Sequence, residues 1–144
     1  MGRPFKESVL QDVAAVVKTA WSPAQIEIDR AQLAADNFPY ANVALVGLDR
    51  LTGSPTEQTY TYSIKITGRF AYPNSATAYI GTEKIDRAND LTDALMSDIT
   101  LNAVSYGTLQ DVTSVDFQEL DGTNDRCFEI QVNYQIAITG TMRP

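Results

Sequence analysis

Histidine is absent from the 144 residues, and cysteine occurs once, as Cys127. The first absence removes every Ser/His/Asp and Cys/His arrangement, and with them the commonest general base near neutral pH. The second rules out an intrachain disulfide and leaves no Cys/His set for zinc, so a reducing, cytosolic setting is expected. To act as a nucleophile Cys127 would need a neighbour that lowers its pKa, and Arg126 alone is weak support. A small structural thiol is the expectation. No apolar run approaches the roughly 20 residues of a membrane helix. The opening MGRPFKESVL lacks the uninterrupted apolar core of a secretory leader. Basic residues are scarce as well: 11 against 18 acidic ones, for a formal charge of −7. Tight nucleic-acid binding wants a basic stripe, whereas an acidic surface lets DNA slide past without sticking.

Glycines are few and scattered, and Gly81 and Gly107 belong to no phosphate-cradling loop. Asp121-Gly122-Thr123-Asn124-Asp125 gathers side-chain oxygens without the spacing of an EF-hand. Asp, Gly and Asn are also what a hairpin bend requires, and the bend is the simpler reading. Paired acids such as Asp90 and Asp93 fall on a helix surface. No catalytic, cofactor-binding or metal-binding residue is assigned, and no enzyme is expected.

What is present is alternation. In QTYTYSIKITGRFAY, residues 58–72, Tyr60, Tyr62, Ile64, Ile66, Phe70 and Tyr72 share one parity, and Thr59, Thr61, Ser63, Lys65, Thr67 and Arg69 share the other. Side chains alternate across a strand, so one face is apolar and the other polar. The apolar face needs helices, and the polar face tolerates water or a partner. The same pattern returns in residues 126–139, where Phe128, Ile130, Val132, Tyr134, Ile136 and Ile138 share a parity. With residues 112–120 before the Asp-Gly bend, it predicts a hairpin.

Residues 5–21 carry Phe5, Val9, Val13, Val16, Val17 and Ala20 at three- and four-residue steps, an amphipathic helix stopped by Ser22-Pro23. QIEIDR, residues 25–30, reads as a short strand, and residues 31–36 as one helical turn before a corner at Asn37-Phe38-Pro39. ANVALVGL, residues 41–48, is apolar on both parities, as in a strand buried on both faces at the centre of a sheet. A second helix is expected after a Thr82 cap, with Ile85, Ala88, Leu91, Leu95, Met96 and Ile99 inward and Asp86, Arg87, Asp90, Asp93 and Asp98 in water. Residues 102–110 are ambiguous, with a turn at Gly107. The composition, 44% apolar and 20% charged, suits one globular domain over 1–144. The fold class is α+β, a mainly antiparallel sheet with two amphipathic helices packed on it, in the order α-β-β-β-α-β-β.

Between the strands at 41–48 and 58–72, DRLTGSPTE, residues 49–57, reads as a polar connector. Arg50 and Glu57 bring charges of both signs, and Leu51 has no place in the core pattern. With Gln58 at the strand start, these are the candidate oligomer or partner contacts.

The N-terminal helix, the corner NFPYANVALVG, the strand YTYSIKITGRF, the acidic helix TEKIDRANDLTDALMSDI and the closing EIQVNYQIAITG together cover most of the chain. In that order the chain resembles the tail-terminator, or tail-completion, proteins of tailed bacteriophages and the wider set of head–tail joining proteins. The resemblance implies a structural virion protein without cofactors, assembled in the host cytoplasm. It implies a homohexameric ring that caps the tail tube, meets the head or neck connector, and lets DNA pass without specific binding. Other readings stay open: another neck or tail-tube subunit, a small ligand-binding α+β domain, or an enzyme working through carboxylates alone.

Overall fold

Strands of unusual length dominate the computed structural model, which describes residues 8–23, 25–28, 39–53, 57–71, 80–121 and 126–141. The elements are α1 (Ser8–Trp21), β1 (Gln25–Ile28), β2 (Tyr40–Gly53), β3 (Glu57–Ala71), α2 (Ile80–Ser97), α3 (Ile99–Val104), β4 (Ser105–Asp121) and β5 (Arg126–Thr141). The five strands form one sheet in the order β1-β2-β3-β5-β4. β1 runs parallel to β2, and every other neighbouring pair is antiparallel. The fold is therefore α+β, a mixed sheet with helices packed on one face.

The expected alternation decides the facing. Ile64, Ile66 and Phe70 of β3, and Phe128, Ile130, Val132, Tyr134, Ile136 and Ile138 of β5, are buried in one core with Val9, Val13, Val16, Val17, Leu91, Leu95 and Leu101 from the helices. β3 and β5 pair without a register break, Ile64 opposite Tyr134 and Phe70 opposite Phe128. At one end of this core Trp21, the last residue of α1, meets the Phe70 ring edge-on with centroids 5.2 Å apart, and Phe70 stacks on Phe128 at 5.4 Å. The indole Nε1 donates to the Arg87 carbonyl of α2 at 2.8 Å, and the Arg87 guanidinium lies 4.7 Å over the Phe70 ring. One aromatic cluster thus ties both main helices to the middle of the sheet. α1 stops where expected: Ser22, at φ 47°, donates its N–H to the Lys18 carbonyl, a left-handed helix cap, and Pro23 follows.

Several expectations change. β2 does not end at Leu48; its ladder with β3 continues through Asp49–Thr61, Arg50–Tyr60 and Gly53–Gln58. The polar connector shrinks to residues 54–56, because a hairpin arm outside the core needs backbone pairing but no apolar parity. β2 lies second from the sheet edge, not at its centre, and is buried on both faces only at Tyr40–Val43. Beyond that point its register slips twice, at Val46 and Leu51, and each slip reverses the facing of the residues beyond it. Thr82 is the third residue of α2 rather than its cap. Ile85, Met96 and Ile99 are exposed. On a helix turning roughly 100° per residue, Ile85 and Met96 stand about 120–140° from Leu91. Asp98 is no mere surface acid: it separates α2 from α3 and caps the latter, accepting from the Leu101 N–H at 2.9 Å. Arg87 packs on Phe70 instead of standing free in water. The ambiguous stretch 102–110 divides between α3 and the start of β4. The expected turn at residues 31–36 and the bend at 122–125 lie outside the described residues, as does the Cys127 side chain.

Candidate assembly interface

The helices cover one face of the sheet, and the other face follows the polar parity of β3 and β5. It divides into three zones along the strands.

At the end nearest β1 the face is polar yet covered. Tyr40, Asn42, Thr67 and Glu129 are all buried. The Tyr40 hydroxyl donates to Glu27 at 2.6 Å, and the Gln25 amide donates to the other oxygen of that carboxylate at 3.1 Å. Arg69 Nε donates to Glu129 at 2.9 Å, directly across the β3–β5 ladder, and the Gln131 amide reaches the second Glu129 oxygen. Among the described residues every buried side-chain nitrogen and oxygen has a partner, so these carboxylates are engaged rather than poised for chemistry.

In the middle the face is a shallow trough. Thr61, Ser63, Asn133, Gln135 and Ala137 form its floor; Val46 and Leu51 of β2 stand on one side, Leu109, Asp111 and Thr113 of β4 on the other. Two adjoining depressions of about 270 and 210 Å³ result. Val46 is 64% exposed, Leu51 50% and Leu109 49%. Val46 and Leu51 are the residues at which β2 slips register, so bulges set these two apolar groups outside the core.

The third zone is the tip of the β2–β3 hairpin, where the candidate contact residues gather. Arg50 pairs with Tyr60 and is exposed, and Gln58 pairs with Gly53. Glu57 opens β3 opposite Thr141. The Arg50 guanidinium folds over Gly53, so a Cβ there would fall 2.7 Å from Nη2. The Tyr60 hydroxyl donates to the Gln58 side-chain oxygen Oε1 at 2.5 Å, and the Thr59 and Thr139 hydroxyls meet at 2.8 Å. Arg50, Leu51 and Gln58 thus belong to one projecting arm, but Arg50 keeps the parity of Tyr60 on the helix side while Leu51 lines the trough. Val46 and Leu109 escaped the reading of the sequence. Val46 was hidden inside an apolar run and Leu109 in an ambiguous one.

Catalytic geometry does not emerge from these groups. Among the described residues no cluster of three His, Cys, Asp or Glu could hold a metal ion. Tyr134 is held far above the usual tyrosine range, first by burial and then by the Asp98 charge. Its hydroxyl donates to the Gln110 side-chain carbonyl, whose amide donates to Asn102, a closed structural chain. On the helix side a groove of about 460 Å³ runs between α1 and the α2–α3 junction, with Asp12, Ala15, Ala94 and Ile99 along it. No helix among the described residues is long and apolar enough to cross a membrane. The chain matches no family model, and no curated protein is significantly similar to it.

Proposed function

We propose that the protein is a ring-forming structural component of a phage virion, a tail terminator that caps the tail tube and joins it to the head or neck. The observation that carries the reading is the mismatch between sheet and helices. β2 to β5 span 14 to 17 residues each, while α1 has 14 and α2 has 18. At about 3.3 Å per strand residue and 1.5 Å per helix residue, strands of roughly 45–55 Å carry helices of roughly 21–27 Å. The helix-side positions of β3 from Tyr62 to Phe70 and of β5 from Phe128 to Ile138 are buried, so the length the helices do not match emerges at the β2–β3 end, where Arg50, Leu51, Gly53 and Glu57 are exposed. A monomeric enzyme or carrier has little use for such an arm, whereas a subunit that must touch two neighbours and a tube does. The trough floor of Thr, Ser, Asn and Gln and the net charge of −7 suit a wall past which DNA moves without binding.

Two measurements test this. Purified protein, alone or with tube ends, is expected to give closed rings by electron microscopy, with a channel wide enough for a duplex. Removing the gene from its phage is expected to leave tails of irregular length that fail to join heads. A monomer stabilised by a small metabolite, with tails of normal length and attachment in its absence, would overturn the proposal.

A further inference from the structure

On the helix side, the groove between α1 and the α2–α3 junction follows α1 from Asp12 to Thr19 and the other wall from Ala94 to Thr100. Seven helical residues make about 10 Å, or two turns. Ala15 lines one wall and Ala94 the other, side chains short enough to let a third backbone come close. Ile99 stands in the groove 84% exposed, the highest value for a large apolar side chain among the described residues.

The charge here has one sign. Asp12 comes from α1 and Asp98 from the helix junction, and Asp90, one turn before Ala94, is exposed on the same side of α2. Among the described residues no Lys or Arg lines the groove, and Lys18, the one cation of α1, stands away from it. The start of α3 offers an anion nothing, since the Asp98 carboxylate already accepts from the Leu101 N–H there.

We propose that this groove docks a basic amphipathic helix of a partner protein, whether or not the chain forms rings. The walls are helices, whose backbone groups are spent within them. A segment laid against them gains no strand pairing and must satisfy its own backbone, which a helix does. Apolar side chains at i, i+3 or i+4 and i+7 cover Ile99 and the two alanines over two turns. Lys or Arg beside that stripe meets Asp12 and Asp98. A second copy of this chain is the wrong occupant. Copies at a net charge of −7 repel. α1 holds one aspartate and one lysine, and α2 sets Glu83, Asp86, Asp90 and Asp93 against Lys84 and Arg87. Arg87 is already engaged by Glu83 and Phe70.

The probe is a fluorescently labelled peptide of leucine and lysine with its leucines at helical spacing; the same peptide with glutamate for lysine is the control. Each is titrated with the full chain and read by anisotropy. The lysine peptide is expected to bind, more weakly as salt rises, and the glutamate peptide is not. Any acidic protein attracts a cationic peptide, so matched variants locate the contact. Asp12→Asn and Asp86→Asn remove the same charge, the first from the groove and the second from an exposed part of α2 that does not line it. Asp12→Asn is expected to weaken binding about threefold, and Asp86→Asn to leave it unchanged. Ile99→Ser is expected to weaken it about tenfold, through lost apolar burial. Ala15→Lys, at an exposed position of α1, sets a like charge in the groove and is expected to abolish binding. Circular dichroism and melting establish that each variant folds. Equal losses in the two aspartate variants, or unchanged binding in folded Ile99→Ser or Ala15→Lys protein, would mean diffuse attraction and overturn the site. Failure of the lysine peptide to bind at about 100 μM, or equal binding of the glutamate peptide, would overturn it too. Self-association of the protein that Ile99→Ser abolishes would make a second copy the occupant and refute the proposal.

Discussion

Gly68 is the position where the packing of α1 on the sheet is most exposed to a single methyl group. It lies on the helix side of β3, opposite Ala41 and Ile130. A Cβ added there would fall 2.5 Å from Trp21 Cζ3, 3.0 Å from Trp21 Cε3 and 2.9 Å from Phe70 Cε2. Carbon atoms rest at roughly 3.5–4.0 Å, so the indole must retreat by about an ångström. It has nowhere easy to go, being buried, edge-on to Phe70 and held to the Arg87 carbonyl. Overpacking of this kind costs about 1–3 kcal/mol. Replacing a strand glycine by alanine returns roughly 0.5–1 kcal/mol through the unfolded chain. The clash wins, and Gly68→Ala should lose about 0.5–2 kcal/mol. Trp21→Phe alone should cost about 1–3 kcal/mol through a partial cavity and the lost indole hydrogen bond to α2. It also makes room, so the double variant should be more stable than the sum of losses predicts, by about 0.5 kcal/mol or more. Urea unfolding followed by far-ultraviolet circular dichroism reads all four proteins, since Trp21 is the single tryptophan and fluorescence is lost with it. A Gly68→Ala protein as stable as the original, or strictly additive losses, would refute the reasoning.

Ile64→Ala should cost about 2–5 kcal/mol, while Lys65→Ala, on the other parity, should cost less than about 0.5; equal shifts in denaturant melts would mean that the facing of β3 is misassigned. Arg69→Met should cost about 1–3 kcal/mol in such melts, by leaving the buried Glu129 carboxylate with the Gln131 amide but without its cation. Because one partner is buried, this loss should change little between low and moderate salt, and a loss that vanishes in salt would point to a surface pair. Tyr134 should bind its proton more tightly folded than unfolded. Its contribution is therefore complete below the ordinary tyrosine range near pH 10, and is lost as pH climbs above that value toward the higher folded one. Tyr134→Phe should flatten the alkaline fall in stability, and an unchanged slope would place the phenol in water.

Alternation alone determined the facing of β3 and β5, because one polar residue at a core position of a strand would bury an unpaired group, and none occurs between Phe128 and Ile138. Helical spacing likewise determined the inner side of α1, where Val9, Val13, Val16 and Val17 recur, and the stop at Ser22-Pro23. The candidate contacts were legible only in part. Leu51 stood out as an apolar residue with no core position and Gln58 as a strand start, but Arg50, Leu51 and Glu57 looked like loop because an arm outside the core follows no apolar parity. What the tertiary structure decided is whatever depends on residues far apart in the chain. Gly68 is an ordinary strand residue until Trp21, 47 positions earlier, lies across it. Arg87 reads as a surface charge until Phe70 is placed beneath it. Val46 and Leu109 belong to an apolar run and to an unclear stretch until two bulged strands, β2 and β4, set them on either side of a shared trough. Periodicity is a property of neighbours along the chain, and it carries no information on which strands are outermost or which surfaces face each other across a sheet.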